Sequence, residues 1–191
     1  MAQGTPELLK LLEKIEGIDP QSDLYKEFAA KVLRRIDPQK PFGTLLYGEI
    51  AKRSWNVFFE AVVFQQRGPN EIYVFLRKRG EKDPFYPNQW HAPGSAFRPM
   101  ENERMVADRL GLEFGTAISN FEYLDDVVDW EKGEERGSGI SRVYLTELDG
   151  DPRLDERHGW FPVTQLPKVT VESHLTKIIP CALGAFIAGC S

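Results

Sequence analysis

The sequence predicts a domain of the α/β or α+β class, built on a mixed β-sheet and preceded by helices. Apolar residues recur at helical spacing before residue 38. Runs rich in β-branched and aromatic residues follow over 56–79, 120–130 and 139–148 and predict strands. A helical pattern over 101–114 lies between the strand runs. Helices interspersed with strands in this order are typical of a mixed sheet that packs against helices.

Two helices are predicted before the first strand. The first begins at Thr5-Pro6, a capping hydroxyl followed by a proline at the first helical position, and ends at Gly17. The second begins near Ser22–Asp23 and ends before Pro38. Its apolar residues at helical spacing are Leu24, Phe28, Val32 and Ile36. Neither helix carries identifiable chemistry, so we interpret both as additions that pack or form a dimer.

The central strands are predicted to begin with a hairpin. NVFFEAVVFQQ (56–66) and EIYVFLRKR (71–79) are separated by the turn segment RGPN. A loop rich in proline and aromatic residues follows at 81–94. After the last strand, HGWFPVTQLPK (158–168) predicts a turn-rich connection into a final, buried helix from about Glu172.

Composition limits the functional classes. A chain of 191 residues suits one well-buried domain, 46–191, with 1–45 as a helical extension. A net charge of −5 argues against nucleic acid as a partner, and the absence of a basic run argues against a membrane surface. Cys181 and Cys190 form neither a metal-type pair nor a disulfide framework. The N-terminus lacks the layout of a signal peptide, so a cytoplasmic location is expected.

A glycine-bearing loop followed by a helix carries the most specific pattern. Trp90, Pro93 and Gly94 precede the helical segment, and Gly115 follows it. Trp160-Phe161-Pro162 and Leu166-Pro167 come later. This order resembles the Nudix (MutT-like) hydrolase superfamily from about Phe59 to the C-terminus. The resemblance implies an α/β/α sandwich and hydrolysis of a diphosphate linkage, in which Mg²⁺ offsets phosphate charge and activates a water.

The helix departs from the family's box, G-x5-E-x7-R-E-U-x-E-E-x-G-U, where U is a bulky apolar residue. Gly94 and Gly115 stand at the required separation. Without gaps, the substituted positions are Met100 for the first glutamate, Asp108 for the arginine, Arg109 for the next glutamate and Leu112 for the first residue of the Glu-Glu pair. The second residue of the pair is retained as Glu113.

A shift of one residue restores part of the box. Glu101 then takes the first glutamate position and Arg109 the arginine, while Leu110 stands where the essential glutamate belongs. Glu113 becomes the first residue of the Glu-Glu pair and Phe114 the second, and Gly115 no longer fits. Both registers lack the carboxylate after the arginine.

The resemblance implies roles for the remaining polar residues. Glu113 is expected to be a catalytic metal ligand, with Glu101 (also catalytic) and Asp108 as substitute ligands for weakly bound Mg²⁺ or Mn²⁺. The predicted substrate contacts are Gly94 at the loop hinge, Arg98, Arg109, Glu134 and Glu135. The alternatives are an ordinary solvated helix face for Glu101 and Asp108 and a flexible acidic loop for Glu134 and Glu135. The spacing of Arg109 and Glu113 also predicts an intrahelical ion pair.

Two functions follow from these expectations. The first is a pyrophosphohydrolase acting on a nucleoside diphosphate linked to another group. The alternative is a catalytically inactive Nudix-fold protein that binds a nucleotide or phosphometabolite, because a lost carboxylate and a gained cation suit binding without cleavage. A structural dimer formed through the N-terminal helices is a third reading.

Overall fold

The computed structural model describes residues 14–37, 40, 46, 50, 56–83, 85–129 and 139–189. The chain divides into two units, Met1–Phe42 and Gly43–Ser191. Within the described part of the chain, no helix combines the length and apolarity needed to cross a membrane.

The first unit contains helix α1, Asp23–Leu33. The side chain of Ser22 caps it by accepting a hydrogen bond from the backbone N–H of Tyr25, as the sequence predicts. Ile36 lies beyond the end of the helix. None of the α1 side chains is buried. Of the first predicted helix, residues 14–16 are helical, and its leucines lie outside the described residues.

The second unit contains two four-stranded sheets. The strands are β1 (Asn56–Val62), β2 (Phe64–Gly68), β3 (Glu71–Lys78), β4 (Trp90–His91), β5 (Gly94–Ala96), β6 (Ile118–Asp129), β7 (Gly139–Leu148) and β8 (His158–Pro162). The first sheet has the order β5-β1-β7-β6, with β1 and β7 parallel and the other pairs antiparallel. In the second sheet β3 pairs antiparallel with β2, β4 and β8. The predicted mixed sheet is therefore confirmed.

Only part of the predicted hairpin is confirmed. The run 56–66 is not one strand, because it breaks at Val63. Its first part, β1, joins the first sheet, and only β2 forms a hairpin with β3. If residues 56–66 formed one continuous strand, the whole run would lie in one sheet. The break at Val63 instead lets the chain contribute to both sheets.

Two helices cover opposite faces of the strands. Helix α2 is Glu103–Phe114, and the C-terminal helix α3 is Ile179–Gly189, preceded by a π-helical turn at His174–Ile178. Neighbouring residues on β3 point to opposite sides: Phe75 packs in the cluster that contains α2, whereas Val74 and Leu76 pack in the cluster that contains α3. The predicted α/β/α sandwich is confirmed.

The C-terminal third differs from the prediction in two places. Residues 158–162 form strand β8 rather than a turn-rich connection. The final helix buries one side through Ile178, Ile179 and Ala182, while Ile187 near its end is exposed. The helix is therefore less buried than its apolar composition predicts.

Candidate functional site

Strand β5 and helix α2 hold the residues that the sequence singled out. Gly94 pairs with Glu60 in β1, and the side chain of Asn102 caps α2 by accepting from the N–H of Met105. Gly115 ends the helix with φ +76°, a left-handed conformation that favours glycine. The core strip predicted for this helix is confirmed, because Val106, Leu110 and Phe114 are fully buried.

Arg109 ties the end of the loop to the helix. Its guanidinium donates to both carboxylate oxygens of Glu101, at 3.3 and 2.8 Å. It also donates to the carbonyl of Ala96 at 3.0 Å and to the hydroxyl of Ser95. Arg109 is therefore paired with Glu101 rather than with Glu113, the partner that helical spacing suggested.

The environment of Glu101 favours its ionised form. The side chain is 6% exposed, and the backbone N–H of Arg98 donates to it at 2.8 Å. Burial alone raises the pKa of this carboxyl, but the hydrogen bonds from Arg109 and Arg98 and the charges of both arginines outweigh that effect. The pKa is consequently lowered from its usual value.

Glu113 lies on α2 four residues beyond Arg109, but its partner comes from the second sheet. It accepts a hydrogen bond from the guanidinium of Arg77 on β3, and both side chains are about one third exposed. Asp108 lies on the solvent side, 65% exposed, in a long ion pair with Arg104 at 3.6 Å. Glu101, Asp108 and Glu113 thus point to three different basic partners. Glu134 and Glu135 lie outside the described residues.

The structure shows which residues lie at the two ends of α2. Before the helix, Met100 is 94% exposed with φ +66°, and Glu101 after it forms the pair with Arg109. At the other end Gly115 terminates the helix. The position after Arg109 is occupied by Leu110, which is buried in the core and offers no ligand.

The described residues do not fit a divalent-metal centre. No group of three or more histidine, cysteine, aspartate or glutamate side chains within them is arranged to hold a metal. Mg²⁺ prefers several oxygen ligands in near-octahedral geometry. The two best-placed carboxylates, Glu101 and Glu113, are each occupied by an arginine.

A buried polar cluster lies beneath the glycine loop. Glu60 accepts a hydrogen bond from the hydroxyl of Ser141 at 3.2 Å, and its other oxygen is 3.9 Å from Nε2 of His174. Nδ1 of His174 accepts from the backbone N–H of Ala92. His91 packs edge-on against His174, with ring centroids 5.6 Å apart. Burial, and then the charges of Arg79 and other basic neighbours, hold the pKa of His91 well below its usual value.

This cluster explains why residue 94 is glycine. A side-chain carbon there would overlap the carboxylate of Glu60 and approach the carbonyl oxygen of Phe59 to 3.0 Å. Among the described glycines, only Gly115 has a positive φ. Gly94 is thus required by close approach of the chain rather than by the sharp turn that its place in the motif suggested.

Sequence reasoning missed Glu60, Arg77 and Glu103. Glu103 begins α2 and accepts from Arg142 at 2.8 Å and from the hydroxyl of Tyr144 at 3.0 Å. Glu60 could have been identified from the sequence, because it is the one charged residue in the apolar run 56–63. Nothing in the local sequence distinguishes Arg77 from the basic residues that follow it.

Comparisons with known proteins show the fold. No family model and no curated protein matches the chain. A mutT/nudix family protein from Listeria innocua aligns with 73% of this chain and 97% of its own, with a TM-score of 0.57 and 18% identity. The MutT NUDIX hydrolase from Burkholderia pseudomallei aligns with 63% and 93%, with a TM-score of 0.51 and 24% identity.

A third similar structure is a complex with nucleic acid. Shewanella oneidensis NrtR, solved with a 27mer DNA, aligns with 69% of this chain and 62% of its own, with a TM-score of 0.53 and 20% identity. These identities are too low to carry an activity from one chain to another, and what they share with this chain is architecture. The chain has the Nudix fold.

Proposed function

We propose that the protein binds a nucleotide or a related phosphorylated metabolite at the α2 site, which consists of Glu101, Arg109 and Glu113 together with Arg77 on β3. We further propose that the protein does not cleave this ligand through a metal centre. One observation carries this proposal: the carboxylates of Glu101 and Glu113 are both held by arginines of the same domain. A cytoplasmic location and a small-molecule ligand belong to the same proposal.

The arginine paired with Glu113 makes a bound cation unfavourable there and offers hydrogen-bond donors to an anion. A metal at Glu113 would have to displace Arg77 and then remain near its positive charge, which lowers the affinity for a hard cation. A guanidinium, in contrast, donates two parallel hydrogen bonds to a phosphate. Arg77 is 30% exposed, so a ligand has access to it. Arg109 is already engaged by three acceptor residues, so Arg77 rather than Arg109 is the proposed phosphate contact.

Diphosphate hydrolysis is the second candidate, because solved structures with this fold carry the description MutT or Nudix hydrolase. The substrate would be a nucleoside diphosphate linked to another group, with Mg²⁺ or Mn²⁺. Glu113 would then share the metal with carboxylates such as Glu134 and Glu135, which lie outside the described residues.

A paired measurement separates these functions. Nucleoside-diphosphate sugars, ADP-ribose, dinucleoside polyphosphates and nucleoside triphosphates are tested for turnover with Mg²⁺ or Mn²⁺, and for thermal stabilisation without metal. We expect stabilisation without turnover. Robust turnover would overturn the binding proposal.

Glu113→Gln sharpens the test. In the binding protein this change frees Arg77 and should raise the affinity for a diphosphate ligand, whereas in the hydrolase it removes a metal ligand and should abolish turnover.

Arg77→Gln should weaken binding about tenfold or more, as for the loss of a charged hydrogen bond. Arg153→Gln is the control, since that side chain is 60% exposed and pairs with Asp155.

A further inference from the structure

A concave site lies away from the carboxylates of α2. It is a cleft of about 560 Å³ beside the carboxyl ends of the parallel strands β1 and β7. The end of helix α3 and strand β8 complete its walls through Phe186 and Trp160. Clefts of this size accommodate small molecules.

Three aromatic residues, Phe64, Trp160 and Phe186, lie in the wall. Phe64 and Phe186 lie against each other with ring centroids 5.1 Å apart, and Trp160 packs edge-on against the buried Phe75 at 5.4 Å. The faces of such rings attract cations. One such contact lies next to the cleft: the guanidinium of Arg67, which is outside the lining, is 6.0 Å from the ring centroid of Trp160 and 4.2 Å from that of Tyr73.

Two carboxylates supply the charged part of the lining, beside the polar residues Gln65 and Thr146. Glu147 and Asp151 line the cleft, and among the described residues no lysine, arginine or histidine does. Neither carboxylate has a hydrogen-bond or ion-pair partner in the part of the chain that the structure describes, in contrast to Glu101 and Glu113. The nearest basic residue in sequence, Arg153, is paired with Asp155 at 3.1 Å.

We propose that this cleft binds a small organic cation, an ammonium or guanidinium group on a short aliphatic chain. The positive group would lie between the carboxylates of Glu147 and Asp151 and the aromatic wall. This site goes beyond the proposed function, because its ligand has the opposite charge to a phosphorylated metabolite and lies against different residues.

The test is an NMR titration of the whole protein with methylguanidinium and with methylurea, a neutral molecule of nearly the same shape. We expect methylguanidinium to shift the backbone amide signals of residues 145–151, and methylurea to leave them unchanged. Added salt should weaken the binding. Equal responses to the two probes, or no response to either, would overturn the proposal, as would Mg²⁺ shifting the same signals in place of methylguanidinium.

Matched variants identify the contacts. Glu147→Gln and Asp151→Asn should each weaken methylguanidinium binding about three- to tenfold. Glu81→Gln removes the same charge from an exposed turn outside the cleft, and it should leave binding unchanged. Phe186→Leu, at the partly exposed end of α3, tests the aromatic wall and should weaken binding. Unchanged affinity in all three cleft variants would refute the assignment. A nucleotide titration is read separately, since it reports on the α2 site.

Discussion

Gly94 and Glu60 occupy opposed positions on β5 and β1, and Glu60 is 5% exposed. A buried carboxylate is tolerated only where hydrogen bonds and neighbouring groups offset its desolvation. Ser141 and His174 supply those contacts here. The cluster thereby fixes where the glycine loop can lie, and with it Ser95 and Ala96, which accept hydrogen bonds from Arg109.

We expect Gly94→Ala to destabilise the protein by about 1–3 kcal/mol, because the added methyl group displaces Glu60 from its buried contacts. Chemical denaturation measures the effect. Gly184→Ala is a matched control, since a carbon added there meets nothing within 4 Å and alanine favours a helix over glycine. Equal stability of Gly94→Ala and the wild type would show that the loop has another position available.

His91 makes stability depend on pH. Its pKa in the folded protein lies well below 6.5, whereas the unfolded chain has an ordinary pKa. As the pH falls below about 6.5, the unfolded chain takes up the proton first, so folding stability falls by up to about 1.4 kcal/mol per pH unit. Burial and the positive charges of Arg79 and Arg77 near the ring cause this shift.

Unfolding free energies of the wild type and His91→Gln between pH 7.5 and 5.5 measure this contribution. The curve of the variant should be flatter, because glutamine does not titrate. Parallel curves would place the pH dependence on other groups.

Helix α2 is the element whose packing is most directly readable from sequence. Leu110 is fully buried, whereas Leu112, two residues later, is 82% exposed. The helical repeat places these two leucines on different faces of the same helix. The same repeat places Glu113 where it meets Arg77 on β3.

Leu110→Ala should therefore cost about 2–5 kcal/mol of folding stability, as for a large-to-small change in a core. Leu112→Ala should change stability by less than about 0.5 kcal/mol. Denaturant titration of both variants checks the comparison, and similar losses in the two would mean that α2 does not pack through this strip.

For the whole molecule, the net charge of −5 opposes binding to a phosphate backbone. The prediction needs a direct test, since a similar structure is a complex with DNA. We expect no change in the fluorescence anisotropy of a labelled DNA duplex at 150 mM salt, on the order of physiological ionic strength. Salt-dependent binding under these conditions would show a basic surface on the chain.

The N-terminal unit leaves Leu24 and Val32 exposed on α1. The sequence expectation of a packing or dimer-forming role for this helix stays a prediction. Sedimentation of the full chain over a range of concentrations would test it.

The sequence by itself determined the local features. Ser22 and Gly115 mark where helices begin and end, the core strip of α2 follows from its period, and the spacing of Gly94 and Gly115 led to the right fold. These features depend on residues close together in the chain, where backbone geometry fixes which side chains are neighbours.

Only the tertiary structure decided the chemistry of the site. Glu113 meets Arg77 across 36 positions of sequence, and Ser141 meets Glu60 across 81. Arg109 has carboxylates available both within its helix and in the preceding loop, and it pairs with the one in the loop. An ion pair between residues four apart on one helix contributes only a few tenths of a kcal/mol to stability. A partly buried guanidinium is instead stabilised by the arrangement that satisfies most of its donors, and that arrangement exists only once β5 and α2 are packed together.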